Sequence, residues 1–116
     1  MYTISSAAHN AEMLKAIDKI KKSKLAPYIV DVLLYGSCAR DEQTEDSDVD
    51  IAMILSDEIS TVSNYSLMLV ELRGEVMSTG YMNPDVDLHF LLQSELDDNK
   101  STFIFCLKMD GKTIWQ

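Results

Sequence analysis

Cysteine is scarce in this chain, and what there is forms no framework. Cys38 and Cys106 are the only two, with no metal-site spacing between them. A disulfide scaffold is not expected, and a reducing cytoplasm is the simplest setting. Basic residues are scarce too, 10 against 19 acidic ones, for a formal net charge of −9. Gripping nucleic acid through its phosphates needs clustered Lys and Arg, so a nucleic-acid partner is not expected. No apolar run approaches a membrane span. The opening Met1-Tyr2-Thr3-Ile4-Ser5-Ser6 lacks the charged-then-apolar pattern of a secretory leader. Internal repeats, linkers and low-complexity segments are missing as well. What remains is 116 residues, 47% hydrophobic. That is enough for one domain, 1–116, with its own core, and too apolar for a disordered chain.

The stretch 35–51 organises the rest. Val30, Val32, Leu33 and Leu34 run into Gly36-Ser37, and Asp48-Val49-Asp50 runs into Ile51-Ala52-Met53-Ile54. Two buried strands are thus joined by a polar segment carrying a Gly-Ser pair and two carboxylates in Asp-x-Asp spacing. In an extended strand, residues i and i+2 share a face, roughly 6.5–7 Å apart. Asp48 and Asp50 can therefore aim at one point, which suits a hard divalent cation. Gly36-Ser37 sits where a strand is expected to turn into a short helix over 36–41, whose free N–H groups favour a phosphate.

Gly36-Ser37, ten residues, then Asp48-x-Asp50 resembles the signature of the polymerase-β-type nucleotidyltransferase superfamily. Ala39-Arg40 and Ser47 resemble its minimal branch, the small bacterial nucleotidyltransferases that include antitoxins. The family's third carboxylate stands between apolar residues on a later strand, and Val86-Asp87-Leu88 matches that pattern. One position departs: the family often has Gly after the Arg, and here it is Asp41. The resemblance implies an α/β (α+β) fold with a small mixed sheet and flanking helices. It implies a nucleoside triphosphate substrate and two Mg²⁺ ions. Asp48 and Asp50 would bridge the metals, and Asp87 would complete the site and take the acceptor's proton. Gly36 and Ser37 would face the β/γ-phosphates. Arg40 has two readings, a phosphate contact or an ion pair with Asp48 or a nearby Glu that holds the loop.

The remaining pattern predicts a helix over about 6–24, capped by Ser5 or Ser6, with Ala7, Ala11, Leu14, Ile17 and Ile20 inward. Its lysines 15, 19, 21, 22 and 24 read as a solvated face or as a patch for an acidic partner or phosphate. Strands are expected at 28–35, 49–55 and 85–92, the last on an inner position of the sheet. A second long helix is expected from 61 to about 79, with Tyr65, Leu69, Leu72 and Val76 as its stripe. A final helix spans 102–109, stopped by Asp110-Gly111, with a short strand at 113–115. Helices should lie mainly on one side of the sheet. Cys38 and Cys106 read as packing residues and His9 as a surface residue. His89 shares a face with Asp87 by alternation.

Three functions compete. The resemblance implies AMP transfer from ATP to a hydroxyl of a protein partner, as antitoxin to a helical HEPN-type, ribonuclease-like toxin. A transferase acting on a small molecule is the second reading. A non-catalytic module that neutralises a partner by contact is the third.

Overall fold

The computed structural model describes residues 2–77, 80, 82–98 and 100–115. Helix α1 (Ala7–Lys21) comes first, followed by β1 (Ile29–Tyr35) and β2 (Val49–Leu55). Helix α2 (Tyr65–Val76), β3 (Val86–Leu92), α3 (Thr102–Asp110) and the two-residue β4 (Lys112–Thr113) complete the chain. The sheet order is β3-β2-β1-β4. β1 runs antiparallel to both neighbours, while β2 and β3 are parallel. A parallel pair needs a crossover, and α2 is that crossover.

β2 is the centre of the molecule. Ile51, Ala52, Met53, Ile54 and Leu55 are all essentially inaccessible, because both faces of the sheet are covered. On one face Val32, Leu34, Val49, Ile51, Met53 and Leu88 pack against Met13, Ala16, Ile17 and Ile20 of α1 and Leu72 and Val76 of α2. Each fully buried Ile or Met there contributes about 1.5–3 kcal/mol of transfer free energy. On the other face Ala52, Ile54 and Leu91 meet Leu107 of α3, with Leu33, Tyr35 and Phe103 at the margin. Two helices therefore lie on one side and one on the other.

Ser6 caps α1, its hydroxyl accepting from the His9 N–H at 3.4 Å. Such a cap is worth about 1 kcal/mol. The buried stripe differs from the expected one. His9, Glu12, Met13, Ala16, Ile17 and Ile20 face inward, whereas Ala7 and Ala11 are exposed and Leu14 is 45% exposed. Both stripes share Ile17 and Ile20; Met13 buries more apolar surface than Ala11, and His9 turns inward because polar partners await it. Helix α2 is shorter than expected. Residues 57–61 form a separate 3₁₀ turn, and Asn64, with φ +66°, breaks the path before Tyr65. The expected end near Thr79 lies outside the described residues. No helix among the described residues is long and apolar enough to cross a membrane.

Candidate active site

β1 ends at Tyr35 while β2 and β3 begin, so three strand ends meet at one edge of the domain. Across that edge Tyr35 pairs with Asp50, and Asp50 pairs with Asp87. Side chains alternate along a strand. Asp50 therefore shares the α3 face with Ala52 and Ile54, and Asp87 shares it with His89 and Leu91. Asp50 is half-buried and Asp87 exposed. β3 is an edge strand, not the inner strand expected, which is why Asp87 tolerates its charge without a buried partner. Its carboxylate Oδ2 lies 3.1 Å from His89 Nε2. His89, Tyr35 and Phe103 form an aromatic wall beside the pair, with ring centroids 5.3–6.1 Å apart.

Gly36 follows Tyr35 with φ +73°. A Cβ there would overlap Asp50 Oδ2 and stand 3.3 Å from Asp50 Cγ. Glycine is needed for its left-handed backbone and because the Asp50 carboxylate fills the space a side chain would take. Residues 36–41 make hydrogen-bonded turns rather than the expected short helix. The Arg40 N–H reaches the Gly36 and Ser37 carbonyls, and the Glu42 N–H donates to the Ser37 carbonyl at 2.9 Å. Asp41 ends the turn with φ +57°. A left-handed residue cannot continue a right-handed helix. Asp41 thus adopts the backbone that Gly would take at this position, and its carboxylate accepts from Ser5 Oγ at 2.5 Å.

Burial, then the charges of Asp87 and Asp48, push the Asp50 carboxyl up to about 6. The same surroundings hold the Tyr35 phenol well above its ordinary value, through burial first and then Asp50 and Asp87. Cys38 is fully buried, and its thiol is pushed up to about 11 by burial and Asp50. It packs, with Sγ directed at the Asp48 carbonyl at 3.4 Å, and it is no nucleophile. Arg40 Nε meets Glu42 at 3.3 Å and its Nη1 meets Asp110 at 3.4 Å. The guanidinium therefore ties the turn to the end of α3.

Asp48 precedes β2 and is exposed. Strict alternation applies within a strand, so its side chain is not bound to follow that of Asp50. Among the described residues no three His, Cys, Asp or Glu side chains stand grouped so as to hold a metal ion. The donor chemistry of the pair that the register brings together nevertheless fits a hard cation: two carboxylates, Asp50 and Asp87, with Asp50 cradled against Gly36 and short of compensating charge. A groove of about 820 Å³ lies alongside, lined by Ser6, His9, Thr44, Ser47, Asp48 and Asp85. It reaches Asp48 but neither Asp50 nor Asp87.

Comparison with known proteins gives the family and the fold. The family model described as Polymerase beta, Nucleotidyltransferase matches residues 15–116. The chain belongs to the polymerase β nucleotidyltransferase family. A solved structure of a candidate nucleotidyltransferase from Sulfolobus solfataricus shares the fold, with a TM-score of 0.54 and 18% identity over 97% of this chain and 90% of that one. No curated protein matches in sequence. Membership implies a nucleotide substrate, and the family generally uses divalent metal.

Sequence reasoning missed three residues around this candidate site. Tyr35 and Phe103 were given no role, since the strand register sets Tyr35 opposite Asp50 and only the packing of α3 brings Phe103 against Tyr35 and His89. His9 read as surface, yet it is 3% exposed. Its place one turn before Met13 and two before Ala16 on one helical face was the available signal.

Proposed function

We propose that this domain transfers AMP from ATP to a hydroxyl of a protein partner, with Asp48, Asp50 and Asp87 as the magnesium-binding and catalytic carboxylates. The observation that carries the reading is the direct pairing of Asp50 with Asp87 at the start of two parallel strands, with Gly36 against Asp50. Two Mg²⁺ ions bound by these carboxylates supply charge neutralisation for the attacking and leaving oxygens. Asp87 accepts the proton of the acceptor hydroxyl, and His89, 3.1 Å away, orients it. The hydroxyl oxygen bonds to the α-phosphorus, the bond to the β-phosphate oxygen breaks, and pyrophosphate leaves. Gly36 and Ser37 face the phosphates; Arg40 is paired with Glu42 and Asp110 and would have to release them to contact a phosphate.

A protein acceptor is favoured by exposed apolar side chains on the helix that walls the site. Phe105 and Met109 of α3 are 63% and 69% exposed, on the helix whose Phe103 packs against Tyr35 and His89. Single exposed apolar residues are ordinary; a pair one turn apart beside a reaction centre suits a docking helix. In this reading the whole chain, 1–116, acts as a single domain in the cytoplasm, where both free cysteines stay reduced. It is the antitoxin of a helical HEPN-type toxin.

The test is incubation with each nucleoside triphosphate, magnesium and the purified product of the adjacent gene, followed by intact-mass measurement. The expected result is a partner heavier by one adenylate, absent with Asp50→Asn. Modification of a small molecule and never of the protein would overturn the protein-acceptor reading. Neutralisation of the partner without any mass change would leave a contact-only module instead.

A further inference from the structure

The segment before α1 and the first turn of α1 are stitched to the loop that joins β1 to Asp48. The Tyr2 hydroxyl donates to the Cys38 carbonyl at 3.0 Å. Ser5 Oγ donates to Asp41 Oδ1 at 2.5 Å and accepts from Gln43 Nε2 at 2.8 Å. His9 Nε2 lies 2.9 Å from the Ser47 carbonyl, and His9 Nδ1 lies 2.6 Å from Ser6 Oγ. A carbonyl only accepts, so His9 Nε2 carries the proton, and in the neutral ring Nδ1 accepts from the Ser6 hydroxyl. The segment itself is pinned: Ile4 is 2% exposed in the core, and its N–H donates to Asn10 Oδ1 at 2.9 Å.

These contacts meet the loop at Cys38, Asp41, Gln43 and Ser47, that is, along its length up to the residue before Asp48. The loop is otherwise polar, and Asp41, Glu42, Thr44, Glu45 and Asp46 are all exposed. Acidic side chains there repel one another and Asp48. Something must hold the backbone where it enters β2 at Asp48. The family match begins at residue 15, so Tyr2, Ser5 and His9 lie outside it while their partners on the loop lie inside.

We propose that residues 2–9 are a strap that positions the catalytic loop, with His9 setting Asp48 through the Ser47 carbonyl. Tyr2, Ser5 and His9 are positioning residues. They reach the loop's backbone and side chains, not the carboxylate pair. The consequence for Asp48 rests on the role given to it under Proposed function; the hold on the loop does not. Partners that orient a metal's ligands typically change affinity by about 10–100-fold when removed.

The experiment uses the full chain, four variants of the strap and Asp50→Asn. His9→Phe keeps a ring but loses both hydrogen bonds. His9→Gln places an amide donor where Nε2 sat. Ser5→Ala and Tyr2→Phe each delete one hydroxyl at a more accessible position, so they serve if His9→Phe does not fold. Amide hydrogen exchange on the ligand-free protein is read first. In His9→Phe the amides of 42–48 should exchange at least about tenfold faster, with the sheet unchanged. His9→Gln should restore them, and Ser5→Ala and Tyr2→Phe should quicken 38–44. ATP affinity is then measured with magnesium and with EDTA. His9→Phe should weaken binding by about 10–100-fold with magnesium and little with EDTA. Unchanged loop exchange overturns the strap. So does an equal loss of affinity in EDTA, which would mark general loosening, or a folded His9→Gln as impaired as His9→Phe. Asp50→Asn separates the two ideas. If it leaves the magnesium-dependent affinity intact, the metal reading fails while exchange still decides the strap. If it removes that affinity and the strap variants behave as wild type, the strap alone fails.

Discussion

Asp50→Asn should make the metal-free protein more stable at neutral pH, and the size of the effect follows from the site. Burial beside Asp87 and Asp48 raises the Asp50 carboxyl to about 6, from an ordinary value of about 4. A raised folded-state value means that the native protein holds this proton more tightly than the unfolded chain does. Below about pH 4 the group is protonated in both states and costs nothing. Between about 4 and 6 stability falls as pH rises, and above 6 the full penalty is present. Two units correspond to about 3 kcal/mol at most; partial exposure and solvent screening reduce that to about 1–2 kcal/mol. Asn keeps the shape and removes the charge. In urea unfolding with EDTA, the variant should match wild type near pH 4 and exceed it by about 1–2 kcal/mol at pH 7.5. Magnesium should reverse the order, since the wild type offers a cation one more ionised carboxylate than the variant keeps. Transfer should fall by about 10²–10³-fold, the scale of one lost preorganised charge. A variant less stable than wild type at pH 7.5, or one with the same gap at pH 4 and 7.5, would refute the reasoning. The carboxylate would then be a structural acid.

Three further outcomes can be checked on the same material. Gly36→Ala forces a side chain onto φ +73° and into Asp50, so it should cost about 1–3 kcal/mol in urea unfolding and weaken magnesium-dependent ATP binding; wild-type behaviour in both would disprove the packing. Cys106 is exposed and Cys38 buried, so a thiol reagent should titrate one cysteine in the native protein and two in urea, and two fast thiols in buffer would contradict the fold. Arg73 donates from Nε to the Leu88 carbonyl at 3.1 Å and lies 5.0 Å over the Phe90 ring. Arg73→Met should therefore destabilise by about 1–3 kcal/mol and speed exchange in β3 more than in β1; uniform exchange across the sheet would count against it.

Much of this architecture was legible because its strands are short apolar runs between polar punctuation. The boundaries at 49–55 were read as observed, since Asp48 and Ser56 bracket a stretch that is apolar but for Asp50. Periodicity also placed Tyr65, Leu69, Leu72 and Val76 on the inward side of α2. It failed on α3, where Phe103, Ile104, Phe105, Cys106 and Leu107 are consecutive. A run that is apolar all round carries no face, so Cys106 was expected inside and is exposed. His9 failed for the opposite reason. A polar residue on a helix reads as surface unless its partner is known, and its partner, the Ser47 carbonyl, lies 38 residues away. The carboxylates themselves were legible from motif spacing. Their neighbours Tyr35 and Phe103 were not, because adjacency across strands is a property of register and the seat of α3 on the sheet is a property of tertiary packing.

Register is also what the site depends on. The side-chain period of a strand is two, so a one-residue slip of β3 would turn Asp87 and His89 toward α1 and α2 and bring Val86 and Leu88 to the α3 face. β3 is an edge strand and has only one strand to hold it. The structure secures it at intervals along its length. The Val49 N–H donates to the Asp85 carbonyl at 2.8 Å just before the two strands begin. Arg73 binds the Leu88 carbonyl at mid-strand. Ser94 Oγ donates to Asp57 Oδ1 at 2.9 Å just after the strands end, which ties the segments following β2 and β3. The apolar alternation of Val86 and Leu88 makes the slipped arrangement costly, at about 1.5–3 kcal/mol for each buried side chain exposed. The same alternation that buries Val86 and Leu88 therefore brings Asp87 beside Asp50. The core sets the geometry of the acid pair, and burial elsewhere carries the cost of the pair's mutual repulsion.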